Sequence, residues 1–111
     1  MKLIIDWANP LLPEEVIEEL QPRDLDDFYF RVSDLDKNNL FFLLLNSLHY
    51  YEAEGDRKRA ARLSFLAAYY LFITLTPVGS WNLARYYIAK AVSLDNEPEY
   101  LVWQALIEKG N

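Results

Sequence analysis

The chain has 111 residues, a length that suits one domain and is too short for two ordinary ones. Apolar residues make up 52 % of it, which excludes intrinsic disorder, because so much apolar surface offsets the entropy lost on folding. The absence of cysteine excludes a disulfide framework and any thiolate chemistry, and one histidine leaves little for a histidine-based metal or catalytic cluster. The net charge of −6 is unevenly spread: residues 1–56 hold thirteen acids and four bases, residues 57–111 four acids and seven bases. An acidic half and a basic half imply electrostatic complementarity, within the chain or toward a partner, and argue against direct nucleic-acid binding.

In chain order, Met1-Lys2-Leu3-Ile4-Ile5-Asp6 is too briefly apolar for a secretory signal, so a cytoplasmic setting is expected. Pro13 and Glu14-Glu15 suit the start of a short helix that Pro22 should stop. Asp24 reads as the cap of a second helix, with Leu25, Phe28, Val32 and Leu35 at helical spacing, although Phe28-Tyr29-Phe30-Arg31-Val32 also has strand propensity. A third helix is predicted from Asn38 or Asn39 to Ala53, a fourth over 57–76, a fifth capped by Ser80, and a sixth from Glu99 to Lys109. With short loops between them, these make an all-α bundle of five to six antiparallel helices over 1–111, an acidic segment at 1–37 followed by a helical core at 38–111.

The fourth helix is apolar on every side. Ala60, Ser64, Ala67, Ala68 and Leu71 form a small-residue face, and Phe65, Tyr69 and Phe72 lie opposite, with Ile73 between. Such a helix is either central in its domain, the reading a chain of this size favours, or shared with a partner, in which case Phe65, Tyr69, Phe72 and Ile73 would form the surface of a homodimer. Arg62 to Arg85 is uncharged, but Pro77 and Gly79 interrupt it, which disfavours a membrane span.

The stretch Leu48-His49-Tyr50-Tyr51-Glu52-Ala53-Glu54-Gly55-Asp56, with small residues at Ala60 and Ala67 and a similar spacing at Ala84, Ile88 and Ala91, resembles a tetratricopeptide-type helical hairpin over residues 40–96. That resemblance implies a helical bundle with hairpin packing of this type, which binds proteins or peptides without catalysis. It assigns no individual binding residue.

Few motifs carry chemistry. Asp34-Leu35-Asp36-Lys37-Asn38 has the opening of a calcium loop, but Asn39 and Leu45 stand where glycine and glutamate are needed. His49 with Glu52 one turn on lacks a nucleophile, and no phosphate-loop or hydrolase pattern occurs. No catalytic residue, metal or cofactor is expected. The predicted contact surface for a protein or peptide partner is a groove edge of Tyr50, Tyr69 and Tyr86 with a basic rim of Arg57, Lys58, Arg59 and Arg62. The alternative is an acidic mimic whose Glu14, Glu15, Glu18, Glu19, Asp24, Asp26 and Asp27 occupy a basic surface of a nucleic-acid enzyme.

Overall fold

Six α-helices account for most of the chain: α1 (Glu14–Glu19), α2 (Pro22–Arg31), α3 (Asp34–Ala53), α4 (Arg57–Tyr69), α5 (Ser80–Leu94) and α6 (Pro98–Lys109). The computed structural model describes residues 1–110, and among these there is no strand. The bundle is all-α, as the periodicity predicts, and residues 24–31 are helical despite their strand-forming side chains.

Local chemistry explains where the helices start. Pro22 opens α2 instead of stopping α1, because proline at the first helical position has no N–H to leave unbonded. Asp24 lies inside the first turn, where its carboxylate accepts the Gln21 N–H at 2.8 Å in a reciprocal capping box. Ser33 caps α3, so this helix begins four residues earlier than Asn38, and Leu35 belongs to it, exposed, rather than to α2. The calcium-loop-like run 34–38 is simply the first turn of α3.

The α3–α4 reversal follows from Gly55, whose φ of 79° is the left-handed conformation that glycine tolerates. Asp56 N–H then bonds to Tyr51 O at 2.9 Å and Gly55 N–H to Glu52 O at 3.1 Å, a Schellman closure. Asp56 immediately caps α4, accepting the Arg59 N–H.

α4 is the axis of the molecule. Ala60, Ala61 and every residue from Leu63 to Tyr69 are buried, with α3 and α5 packed on either flank. Its small-residue face meets α5, closely enough for Ser64 Oγ to donate to the Tyr87 carbonyl at 2.6 Å. Each fully buried leucine or phenylalanine here contributes about 1.5–3 kcal/mol.

The helix does not continue to Thr76 with α geometry. Tyr70–Leu75 is π-helical, and Thr76 ends it in the left-handed region at φ 46°. α5 starts at Ser80 behind Gly79, which has φ 79° and occupies the cap position predicted for Ser80. α6 begins at Pro98, and its last carbonyls are met by Trp81, whose indole N–H donates to Ile107 O at 2.6 Å. Among the described residues, no helix is long and apolar enough to cross a membrane.

Candidate functional site

The first turns of α4 place Arg57, Lys58, Arg59 and Arg62 beside a cleft of about 700 Å³, bordered also by Ile17, Glu18 and Tyr100. Cations there oppose the helix dipole. Acids from distant segments offset that. Arg59 bonds Asp56 Oδ2 at 2.7 Å, Glu18 Oε1, and Glu14 at 3.5 Å. Arg62 reaches Glu99 at 3.0 Å, the Leu20 carbonyl at 2.7 Å and Gln21 Oε1 at 3.1 Å, with its guanidinium over the Phe65 ring. Arg57 donates to Ser93 O at 2.9 Å. Burial works to raise the Asp56 carboxyl, but hydrogen bonds from the Arg59 side chain and backbone outweigh it and hold the group below its usual value. The Asp56 hydrogen bond in turn raises the Arg59 guanidinium.

The basic rim is therefore not an open site. Arg59 and Arg62 fasten α1, the α1–α2 junction and α6 to the central helix, which leaves exposed Lys58 and partly engaged Arg57 facing solvent. Arg59 and Lys90 of the second half pair with Glu14, Glu18, Glu52 and Asp56 of the first, so the charge asymmetry is met in part inside the molecule.

The three tyrosines do not form one groove edge. Tyr69 is buried; its hydroxyl donates to Asp26 Oδ2 at 2.7 Å, and its ring meets Trp103 edge-on at 5.1 Å. Burial first, then the Asp26 hydrogen bond, pushes that hydroxyl well above the ordinary tyrosine range. Tyr70, wholly buried, donates to the Lys37 carbonyl at 2.6 Å. Tyr50 and Tyr86 are exposed but lie apart. Phe41 and Glu52 mark the side of α3 turned to α5, through Tyr87 and Lys90, and Tyr50 falls half a turn away from that side.

The expected dimer surface is also corrected. Phe65, Tyr69 and Phe72 lie inside the monomer, because α6 folds back over α4: Phe65 stacks on Tyr100 at 5.0 Å and meets Trp103 at 6.5 Å. Only Ile73 of that set reaches the surface, 44 % exposed. Periodicity shows that a face is covered, not whether its cover comes from the same chain.

His49 is exposed, and Glu52 pairs with Lys90 at 2.8 Å, so the two form no proton-transfer pair. Among the described residues, no group of three or more His, Cys, Asp or Glu side chains is placed to hold a metal.

Two features escaped the sequence reading. Residues 10–12 pass over α3 as a bent strap whose backbone is held by the side chains of Asn46, Ser47 and Tyr51. The outer side of α6 presents Leu101, Val102, Ala105 and Leu106 to solvent. The latter had a legible signal, since residues 100–107 hold more apolar side chains than one inward stripe requires. The strap had none, because it is held by its backbone. No family model matches the chain, and neither a curated protein nor a solved structure is similar to it.

Proposed function

We propose that the chain is a non-catalytic protein-interaction domain whose principal contact face is the outer side of α6, and that this face pairs with a second copy. The observation that carries the reading is the apolar stripe there: Leu101 is 43 %, Val102 60 % and Leu106 46 % exposed, with Ala105 completing the patch. A helix that is apolar outside as well as inside is incomplete by itself. The stripe is nearly symmetric about its midpoint, so antiparallel pairing sets Leu101 over Leu106 of the other copy and Val102 over Ala105, the self-complementarity that a twofold interface needs. α4 and α6 run parallel, with Phe65 at Tyr100 and Tyr69 at Trp103, and this register brings exposed Ile73 to the level of Leu106.

The likeness to a tetratricopeptide hairpin supports the same class of role, resting on the Leu48–Asp56 turn and the small residues of α4 that admit α5. The proposal keeps a cytoplasmic setting, a protein or peptide partner and no cofactor, with Lys58, Tyr50 and Tyr86 as secondary contacts. The acidic-mimic alternative draws less support. Five of its seven acids, Glu14, Glu18, Asp24, Asp26 and Asp27, are engaged within the chain.

Light scattering tests the pairing. The chain should approach twice 13.1 kDa as concentration rises, and Leu101→Glu with Leu106→Glu should return it to monomer mass with unchanged helical content. A monomer at every concentration into the hundreds of micromolar overturns the self-pairing.

A further inference from the structure

The cleft at the start of α4 keeps unspent chemistry once its arginines are accounted for. Nine of its twelve lining residues are charged, five acids and four bases, so it offers little to an apolar molecule. Within it, Arg59 is taken up by Glu18 and Asp56, Arg62 by Glu99, and Arg57 by the Ser93 carbonyl. Lys58 on the first turn of α4 is left over, and so are Asp95 and Glu97 in the turn between α5 and α6. None of these three makes a side-chain hydrogen bond or ion pair among the described residues, and Asp95 is half-buried.

Tyr100 stands between the two sets. The residue is 4 % exposed, and its hydroxyl opens on the cleft but donates to no acceptor among the described residues. A hydroxyl so placed ordinarily has a partner. Burial raises its pKa, so at neutral pH it is a donor. Its charged neighbours include Asp95 on one side and Arg62 on the other, and Lys58 precedes Arg62 by one turn on the same side of α4. Across the cleft the unspent groups therefore follow in the order carboxylate, hydroxyl, ammonium.

We propose that the cleft binds a small zwitterion, a free amino acid or a short peptide, with its ammonium on Asp95 and Glu97 and its carboxylate on Lys58. An oxygen of the ligand lying between its two charges accepts the Tyr100 hydroxyl. The volume of about 700 Å³ falls in the range of small-ligand sites. A lone anion would gain Lys58 but face Asp95 and Glu97 with nothing to offset them, and a lone cation would meet Lys58 and Arg57 in the same way. The cleft is remote in kind from the apolar side of α6, and binding here does not depend on self-pairing there.

The test titrates the full ¹⁵N-labelled chain with glycine and with triglycine. In parallel it uses triglycinamide and N-acetyltriglycine, each of which keeps one of the two charges. Backbone amide resonances of residues 55–58 and 95–97 should move saturably with a zwitterion, at least tenfold more tightly than with either singly charged form. Saturation by glycine assigns a free amino acid, and saturation by triglycine alone assigns a short peptide. Lys58→Gln and Asp95→Asn should each weaken binding at least tenfold, with helical content unchanged because neither side chain has a partner in the fold. Tyr100→Phe should weaken it while keeping the ring stacked on Phe65, and Leu106→Glu should leave it unaltered. No movement at millimolar concentration of either zwitterion, equal affinity for the singly charged forms, or undiminished binding by both Lys58→Gln and Asp95→Asn each overturns the proposal.

Discussion

Tyr69 shows how much a single hydroxyl does at the junction of α2 with the central helix. Its O–H and the Thr74 hydroxyl both donate to the Asp26 carboxylate, so one half-buried acid ties α2 to α4 and to the π-helical turn that follows it. Tyr69→Phe removes one of these charge-assisted bonds and should lower stability by about 1.5 kcal/mol, read as a shift in the urea midpoint. The same residue predicts an alkaline effect. Its hydroxyl titrates above its unfolded value of 10.0, so the neutral form is favoured in the fold. Its contribution is intact below pH 10 and is lost as the pH rises beyond that. Stability should fall above pH 10, and less steeply in Tyr69→Phe; identical slopes would remove Tyr69 as a source of the decline. The sequence marks Tyr69 as one of a doublet on an apolar helix. It does not show that the hydroxyl faces Asp26, because that pairing spans 43 residues of chain.

At the scale of elements, the periodic segments were legible and their joints less so. α3, α4, α5 and α6 follow from apolar spacing, and Gly55-Asp56 marks the turn between the first two of these. The misplaced boundaries have local causes. Pro22 reads as a stop but serves as a start, and Ser33 out-competes the asparagines at 38 and 39 as a cap. The π-helical segment carries no sequence signature, and the partners of its side chains, the Lys37 carbonyl for Tyr70 and Asp26 for Thr74, are too far along the chain for a local pattern to mark. Its terminus gives a prediction. Thr76 is a β-branched residue at φ 46°, where an L side chain crowds its own carbonyl. Thr76→Gly should therefore raise stability by roughly 0.5–1 kcal/mol, after the greater freedom that glycine gives the unfolded chain is deducted. A loss of stability in thermal or urea melts would show that the threonine side chain contributes more than its backbone costs.

For the whole molecule, Arg62 is the residue on which both ends of the fold depend. Its side chain is 14 % exposed and bonds the junction after α1 and the start of α6 together, across 42 and 37 residues. Arg62→Ala should cost about 2 kcal/mol, because the Leu20 carbonyl then loses its charged donor. Amide exchange should quicken in α1 and α6 together, and faster exchange in only one of them would contradict the shared anchor. The candidate site was the least legible feature at this scale. Charge clusters and aromatic doublets were visible as residues, but burial decided which stayed available, and the acids that neutralise Arg59 and Arg62 come from both directions along the chain.

The first turn of α4 has a consequence for how the molecule comes apart. Three consecutive cations, Arg57, Lys58 and Arg59, make a poor beginning for an isolated helix. Asp56 offsets them only in part; Glu14 and Glu18 complete the pairing of Arg59, and Glu99 meets Arg62 one turn on, acids whose positions depend on α1 and α6 having already docked. The central helix thus needs its periphery as much as the periphery needs it. Such mutual dependence opposes stepwise fraying from either end and couples the outermost segments to the core in one cooperative transition.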